Sequence, residues 1–132
     1  MNSDAQSLWI RAKDALKAGR YVLEVSPDTA ASRAYYAAFY GVSAWFALED
    51  QTFTKHSAVE AAVHRDLVRV GVWPEKLGEG YSRLVRLRNT ADYGGPQRAS
   101  VESAKDALET ATEILRVLAA ANSDTFTGLE EV

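Results

Sequence analysis

Apolar residues near the end of the chain recur at steps of three and four positions for about five helical turns. The set consists of Val101, Ala104, Leu108, Ala111, Leu115 and Leu118. This spacing places the side chains on one face of an α-helix, whereas a half-buried strand needs alternating apolar and polar residues. No strand-like alternation of any length occurs in the sequence. The pattern therefore predicts an all-α fold.

Four more helical segments precede this one, and short breaks separate them. The breaks contain helix-ending residues such as Gly71 and the run Gly94-Gly95-Pro96. Because short loops join helices in antiparallel order, we expect an antiparallel up-and-down bundle of four main helices and one accessory helix. The predicted helices span about residues 4–23, 29–48, 55–70, 74–93 and 101–121, with Asp28 or Thr29 capping the second and Ser100 capping the fifth.

The chain length indicates one domain followed by a short tail. The 132 residues can bury a substantial core without help from metals or crosslinks. We assign residues 1–121 to the helical bundle. Residues 122–132 are polar, acidic and without an apolar period, so we expect a frayed or disordered C-terminal tail.

Composition excludes several classes of protein. The chain has no cysteine, which rules out disulfides and thiolate metal sites. No apolar run approaches the roughly 20 residues of a membrane span, and the first residues lack the features of a signal peptide. We expect a cytoplasmic protein with no membrane partner. The net charge of −3 argues against general electrostatic coating of nucleic acid, although a local basic patch is compatible with it.

Common catalytic motifs are missing from the sequence. There is no glycine-rich phosphate loop, no His-Glu-x-x-His zinc pair and no Gly-x-Ser-x-Gly elbow. The carboxylates are scattered and do not form the paired pattern of a di-iron bundle. We therefore expect neither a metal nor another cofactor.

The second predicted helix carries the most unusual surface. Small residues form one stripe, and bulky residues form another beside it, with Tyr36 and Tyr40 one step further round. Arg33 lies among these aromatic residues. The helix should be central in the bundle or buried on one side by a second subunit. The small stripe is Ala30, Ala34, Ala37, Gly41 and Ala44, and the bulky stripe is Tyr35, Phe39, Val42 and Phe46.

Polar chemistry concentrates at the end of the fourth predicted helix. Arg83, Arg86 and Arg88 lie within about one and a half turns, and Tyr93 precedes two glycines. Arg88 and Asp92 are four residues apart and can pair on one helix face. One interpretation is a surface ion pair worth about 0–1 kcal/mol. The other is a phosphate-binding cluster, since arginines beside tyrosines suit RNA or nucleotide phosphates.

The two histidines, His56 and His64, are too far apart along one helix to form a single ligand set. A surface or capping role is the simplest interpretation for each. His56 is the better functional candidate because it stands at a predicted helix start, where backbone N–H groups help to bind an anion.

Three segments together resemble landmarks of one branch of the HEPN superfamily, the branch with an Arg-x-x-x-Asp-Tyr motif. They are residues 32–40, 55–59 and 87–93, in the family's order and spacing, and the similarity covers about residues 8–118. The resemblance implies a small antiparallel helical bundle that is commonly a homodimer. It also implies a bacterial or archaeal toxin–antitoxin-like system in which the partner is a minimal nucleotidyltransferase.

Active ribonucleases of this family carry an arginine followed by four to six residues and a histidine, contributed by both subunits to a dimer cleft, and they cleave RNA without metal. Here Arg88 is present but no histidine lies in that window, and Tyr93 occupies the position after four intervening residues. Tyrosine, with an ordinary pKa near 10, is a poor proton carrier at neutral pH. The resemblance thus implies a degenerate ribonuclease motif.

Three hypotheses follow from these observations. In the first, the protein binds RNA or nucleotide through Arg33, Arg88, Asp92 and Tyr93, with a nucleotidyltransferase partner that modifies Tyr93. In the second, it is an active metal-independent endoribonuclease in which Arg88 stabilises phosphate and His56 acts as acid or base. In the third, the bundle only oligomerises and the Arg88–Asp92 pair is structural.

Overall fold

The computed structural model describes residues 3–93 and 98–132, with the side chain of Tyr93 outside the description. Within these ranges every regular element is helical, which confirms the all-α class. The helices are α1 (Ser3–Val22), α2 (Pro27–Leu48), α3 (His56–Ala62), α4 (Glu75–Tyr93) and α5 (Val101–Ala121). A π-helical turn (Val63–Val68) follows α3, and a short 3₁₀ turn (Leu129–Glu131) lies near the chain end. The predicted glycine-rich end of the fourth helix, residues 94–96, lies outside the described residues.

The four long helices form an antiparallel up-and-down bundle with α3 as the accessory helix. Ser32 and Tyr35 of α2 contact Asp92 and Tyr81 of α4 in reverse order, so these two helices run antiparallel. The start of α2 and the residue before α5 meet at one end of the bundle, where Asp28 accepts a hydrogen bond from Ala99 N at 2.7 Å. Helices α2 and α5 therefore run in the same direction across the bundle.

The small stripe of α2 explains how close α2 and α5 come. All of its residues are buried. At Gly41, an added Cβ atom would collide with the side chain of Leu115 and lie 3.2 Å from Leu118 Cδ1. The same stripe also approaches α1, because the added Cβ atom would lie 3.9 Å from Ala12 Cβ. Tyr36, Phe39 and Tyr40 lie outside the stripe and are only half-buried.

The sequence predicted the N-cap of α5 correctly but not the N-cap of α2. Ser100 caps α5 as predicted, with its hydroxyl accepting from Ser103 N at 3.0 Å and Ser103 bonding back to Ser100 N. The cap of α2 is Ser26, whose hydroxyl accepts from Thr29 N at 3.2 Å. The prediction of Asp28 or Thr29 was wrong because Pro27 begins the helix two residues before the predicted start.

The third predicted helix is shorter than its apolar pattern suggested. Regular α-helix ends at Ala62, and the chain continues as the π-helical turn. Val70, expected on the buried face, is 64% exposed, because the wider turn rotates later residues away from the core. Gly71 ends the segment with a φ of +86°, a left-handed conformation that glycine adopts readily.

The expected frayed tail is wrong for the described residues after Ala121. Phe126 is 2% exposed, and its ring stacks on Trp9 of α1 at a centroid distance of 4.7 Å. Trp9 Nε1 donates to the carbonyl oxygen of Thr127 at 2.8 Å, and Arg20 donates to that of Val132. One buried aromatic residue and two hydrogen bonds from α1 therefore hold the segment in place, although the segment has no apolar period.

Across residues 3–93 and 98–132, none of the helices combines the length and the apolar character that crossing a lipid bilayer requires.

Candidate functional site

The outward side of α2 carries a continuous group of aromatic rings. We call Tyr36, Phe39, Tyr40 and His56 the aromatic strip; the three α2 residues are half-buried and His56, at the start of α3, is exposed. Ring centroids of Tyr36 and Tyr40 are 5.9 Å apart, and those of Phe39 and Tyr40 are 5.6 Å apart. Tyr35 lies buried directly beneath, 5.1 Å from Tyr36. The strip offers aromatic surface that is packed on one side and accessible on the other.

Three arginines from three helices lie over these rings. The guanidinium carbon of Arg33 is 4.7 Å from the centroid of Tyr36, and that of Arg88 is 5.4 Å from both Tyr35 and Tyr36. Arg11 of α1 lies 5.9 Å over Tyr40. Such distances allow cation–π attraction. The strip therefore combines positive charge with aromatic surface, although the whole protein is acidic.

Arg88 is held in one orientation by hydrogen bonds from each end of its guanidinium. Its Nη2 donates to the Tyr36 hydroxyl at 2.8 Å, and its Nη1 donates to Asn89 Oδ1 at 3.3 Å. Its Nε lies 3.1 Å from Asp92 Oδ2. The side chain is only 16% exposed. The pair with Asp92 is therefore more buried than the surface ion pair considered from the sequence.

Asp92 acts on the site through Arg88. One of its oxygens faces Arg88 Nε and also accepts a hydrogen bond from Ser32 Oγ at 3.4 Å. The carboxylate thus orients the guanidinium and offsets part of its charge. This arrangement makes Asp92 a positioning residue, and a phosphate near the strip would meet it as a like charge.

His56 joins the strip through stacking and a hydrogen bond. Its ring stacks on Phe39 at 4.2 Å with a 20° interplanar angle, and its Nδ1 lies 2.8 Å from the Tyr35 hydroxyl. Burial lowers the pKa of His56, and the nearby Arg88 charge lowers it further. Burial raises the pKa of Tyr35 to about 12. Both groups are therefore neutral at pH 7, and Arg88 is the nearby cation.

The three arginines of α4 do not form one cluster. Arg83 and Arg86 line a groove of about 700 Å³ between α4 and α5, together with Asp106 and Glu109. Arg88 faces α2 instead. The helical rotation of about 100° per residue places Arg86 and Arg88 on different sides. The interpretation of a single arginine cluster, based on closeness in sequence, was wrong.

His64 belongs to a separate polar network. Its Nε2 lies 2.8 Å from Ser82 Oγ, and Ser82 donates to Glu60 Oε2 at 2.7 Å. This network ties the π-helical turn to α4. In the described part of the chain, no group of three or more histidine, aspartate or glutamate side chains is arranged to hold a metal ion.

The structure thus brings Arg33, Arg88, Asp92 and His56 to one surface. Two further residues, Tyr36 and Arg11, complete it. Tyr36 was visible in the sequence as part of the aromatic pattern, but nothing in the sequence linked Arg11 to it, because α1 and α2 meet only in the fold. The side chain of Tyr93 lies outside the described residues, so its roles in binding and as a modification acceptor stay predictions.

Comparison with known proteins agrees with the helical architecture. A model of the HEPN domain matches residues 5–121. The chain is also similar to a UPF0332 protein of Thermotoga maritima, with 36% identity over 106 residues that cover 80% of each chain. The matched region contains the five helices, except for the first two residues of α1, and the whole aromatic strip. The chain belongs to the HEPN domain family.

Proposed function

We propose that this HEPN protein binds RNA, or a nucleotide, on the aromatic strip and its arginines. The observation that carries the proposal is the position of Arg33 and Arg88 over the ring of Tyr36 on an accessible face. Aromatic faces stack bases, and arginines bind phosphate, so the two together suit single-stranded nucleic acid. Arg33, Arg88 and Tyr93 are the proposed contacts, and Asp92 positions Arg88.

The acidic total charge favours a local binding mode over general coating. With a net charge of −3, the protein as a whole repels a polyanion. Affinity must then come from the few cations at the strip and from base stacking. We expect short single strands to bind better than duplex RNA, whose stacked bases are not available to aromatic side chains.

The proposal extends to partners by family resemblance. We infer that the chain belongs to the Arg-x-x-x-Asp-Tyr branch and acts in the cytoplasm in a toxin–antitoxin-like system, as a homodimer with a minimal nucleotidyltransferase partner. In this proposal Tyr93 is the residue that the partner modifies. A pull-down from the native host that recovers neither a nucleotidyltransferase nor RNA would count strongly against it.

A matched pair of substitutions tests the binding surface. We expect Arg88→Ala to weaken binding of a labelled single-stranded RNA about tenfold or more, since a charged hydrogen bond contributes roughly 1.5–3 kcal/mol. Arg86→Ala removes the same charge from the same helix but faces the α4–α5 groove, so it should change affinity little. Fluorescence anisotropy at two salt concentrations measures both.

Arg33→Ala serves as a second variant, because the guanidinium of Arg33 also lies over the Tyr36 ring while its side chain is only half-buried. It should also weaken binding while the protein stays folded by circular dichroism. Equal losses for Arg86→Ala and Arg88→Ala would contradict the assignment of the site to the aromatic strip.

A second candidate function is metal-independent endoribonuclease activity. The observation that favours it is the position of His56, which contacts Tyr35 and Tyr36 while Arg88 lies over the same two rings. A neutral imidazole can accept the proton of a ribose 2′-hydroxyl, and an arginine can stabilise charge on the phosphate. Wild-type protein that leaves total RNA intact would remove this candidate; cleavage that His56→Ala abolishes would support it.

The third possibility is a bundle that only oligomerises through α2, with the Arg88–Asp92 pair as a structural bridge. The partial burial of Arg88 is compatible with that role. This third possibility predicts that the protein forms an oligomer and binds no RNA. A monomer by light scattering would contradict it.

A further inference from the structure

A separate cavity lies at one end of the aromatic strip, between the first turns of α1, the second half of α2 and the loop after α2. Its volume is about 370 Å³, within the range of about 300–1,000 Å³ that is usual for small-molecule sites. Two aromatic side chains line it, Phe39 from α2 and Phe53 from the loop. Both are half-buried, so ring surface remains available inside the cavity.

Polar groups from the same three segments surround these rings. They comprise one carboxylate, one amide and several hydroxyls, from Asp4, Gln51, Ser7, Ser43 and Thr52. Aromatic surface combined with a few hydrogen-bonding groups is what proteins use to bind an unstacked base by its face and its edge. Such a mixed lining favours a ligand with an aromatic face and polar edges over a purely apolar one.

The cavity is continuous with the proposed phosphate-binding surface. Phe39 lines the cavity and stacks on His56, whose ring is 5.8 Å from that of Tyr36. Arg33 and Arg88 lie over Tyr36. Arg11 also lines the cavity while lying over Tyr40 of the strip. A single strand can thus place phosphates at the arginines and insert one base into the cavity.

We propose that the cavity is a nucleobase pocket for guanine in the RNA strand held on the aromatic strip; this inference rests on the proposed function. In this pocket, the carboxylate of Asp4 selects guanine over the other three bases. Guanine presents two adjacent N–H donors on one edge, and a carboxylate accepts both through its two oxygens. Adenine, cytosine and uracil do not offer two such donors side by side.

The test compares a labelled single-stranded RNA of about eight uridines with the same RNA carrying one central guanosine. Wild-type protein should bind the guanosine-containing RNA about tenfold or more tightly, as expected for hydrogen bonds from the guanine edge to a charged carboxylate. Asp4→Asn should abolish the preference without weakening the binding of oligouridine. Asp14→Asn removes an acid from an exposed position of the same helix outside the cavity, and should keep the preference.

A second variant blocks the cavity directly. Ser43→Leu introduces a larger side chain from α2, and should reduce the affinity for guanosine-containing RNA to that for oligouridine. Because Ser43 is half-buried, circular dichroism must show that this variant is folded. Asp4 is exposed, so Asp4→Asn tests the pocket without changing a buried side chain.

The outcomes separate this inference from the proposed function. Equal affinity of wild type for both RNAs overturns the guanine pocket and leaves RNA binding on the strip standing. Loss of the preference in Asp14→Asn as well as Asp4→Asn overturns the pocket, because general charge then explains the effect. Binding of free guanosine without binding of either RNA supports the pocket and overturns the proposed function. Absence of all binding overturns both.

Discussion

Arg88 differs from the other arginines of α4 in being mostly buried. Taking a guanidinium out of water is unfavourable unless hydrogen bonds and an opposite charge compensate. Tyr36, Asn89 and Asp92 provide that compensation. The side chain therefore has a fixed position, so a ligand meets a cation that is already oriented.

Asp92→Asn should separate the structural from the electrostatic role of this carboxylate. We expect a loss of stability of about 1–3 kcal/mol, because a partly buried guanidinium loses its charged partner. RNA affinity should rise about threefold at low salt, because a negative charge near the phosphate is removed. Urea unfolding and anisotropy measure the two effects.

Asp106→Asn is the matched control, since Asp106 is exposed and lines the α4–α5 groove. It should change neither quantity appreciably. Weaker RNA binding by Asp92→Asn would instead indicate that Asp92 contacts the ligand directly.

His56 gives the protein a specific pH dependence. Its pKa is lowered in the folded state, so the unfolded chain takes up the proton first as the pH falls through about 6.5. Stability should therefore decrease on acidification until the folded-state pKa is reached. His56→Gln removes this contribution, and we expect a smaller decrease in the free energy of unfolding between pH 7.5 and 5.5.

Ser57→Ala, at the next position, carries no titratable group and should retain the wild-type pH profile. Thermal or urea unfolding at several pH values makes the comparison. An unchanged pH profile in His56→Gln would show that folding does not lower the pKa of the His56 ring.

At the scale of single helices, α2 has two different faces, and each makes its own contacts with the rest of the molecule. Its small residues accept α5 at close range, and its aromatic residues form both core and surface. This arrangement explains how a helix that is apolar over most of its circumference fits into the folded bundle. Among the described residues, arginines from α1, α4 and α2 itself and the ring of His56 lie against the outward aromatic face.

Gly41→Ala tests the close approach of α2 and α5. The new methyl group would collide with Leu115, and we expect a destabilisation of about 1–3 kcal/mol from overpacking. Gly80→Ala is the control on α4, where the nearest contact is the methyl end of Thr110 at 3.0 Å. Its stability should stay within about 1 kcal/mol of wild type, helped by the higher helix propensity of alanine. Urea unfolding that ranks the two variants equally would contradict the packing argument.

At the scale of the whole molecule, the segment after α5 closes the bundle against α1. Phe126 stacks on Trp9, and Trp9 is itself 1% exposed. The backbone carbonyls of Thr127 and Val132 accept hydrogen bonds from α1 side chains. The residues after Ala121 therefore contribute to the core of the domain.

Phe126→Ala should lower the free energy of unfolding by about 3 kcal/mol, since a buried aromatic side chain is replaced by a small one. Asp124→Ala, at an exposed position of the same segment, should leave it nearly unchanged. Chemical denaturation provides both values. A Phe126→Ala protein as stable as wild type would show that the segment merely rests on the bundle.

The sequence by itself determined the helical class, the order and approximate bounds of the helices, and the Ser100 cap. These features depend on residues close together in the chain, whose periodicity and capping preferences act locally. Local position and spacing also placed Arg33, Arg88, Asp92 and His56 among the candidates, and a family resemblance pointed to the same segments.

Only the tertiary structure decided which of these residues meet. Arg83 and Arg86 are close to Arg88 in sequence but face another groove, whereas Arg11 is distant and shares its surface. Phe126 lacks any periodic context, yet it is buried. The physical reason is that contacts between helices depend on the rotation and distance of faces far apart in the chain, which local spacing does not specify.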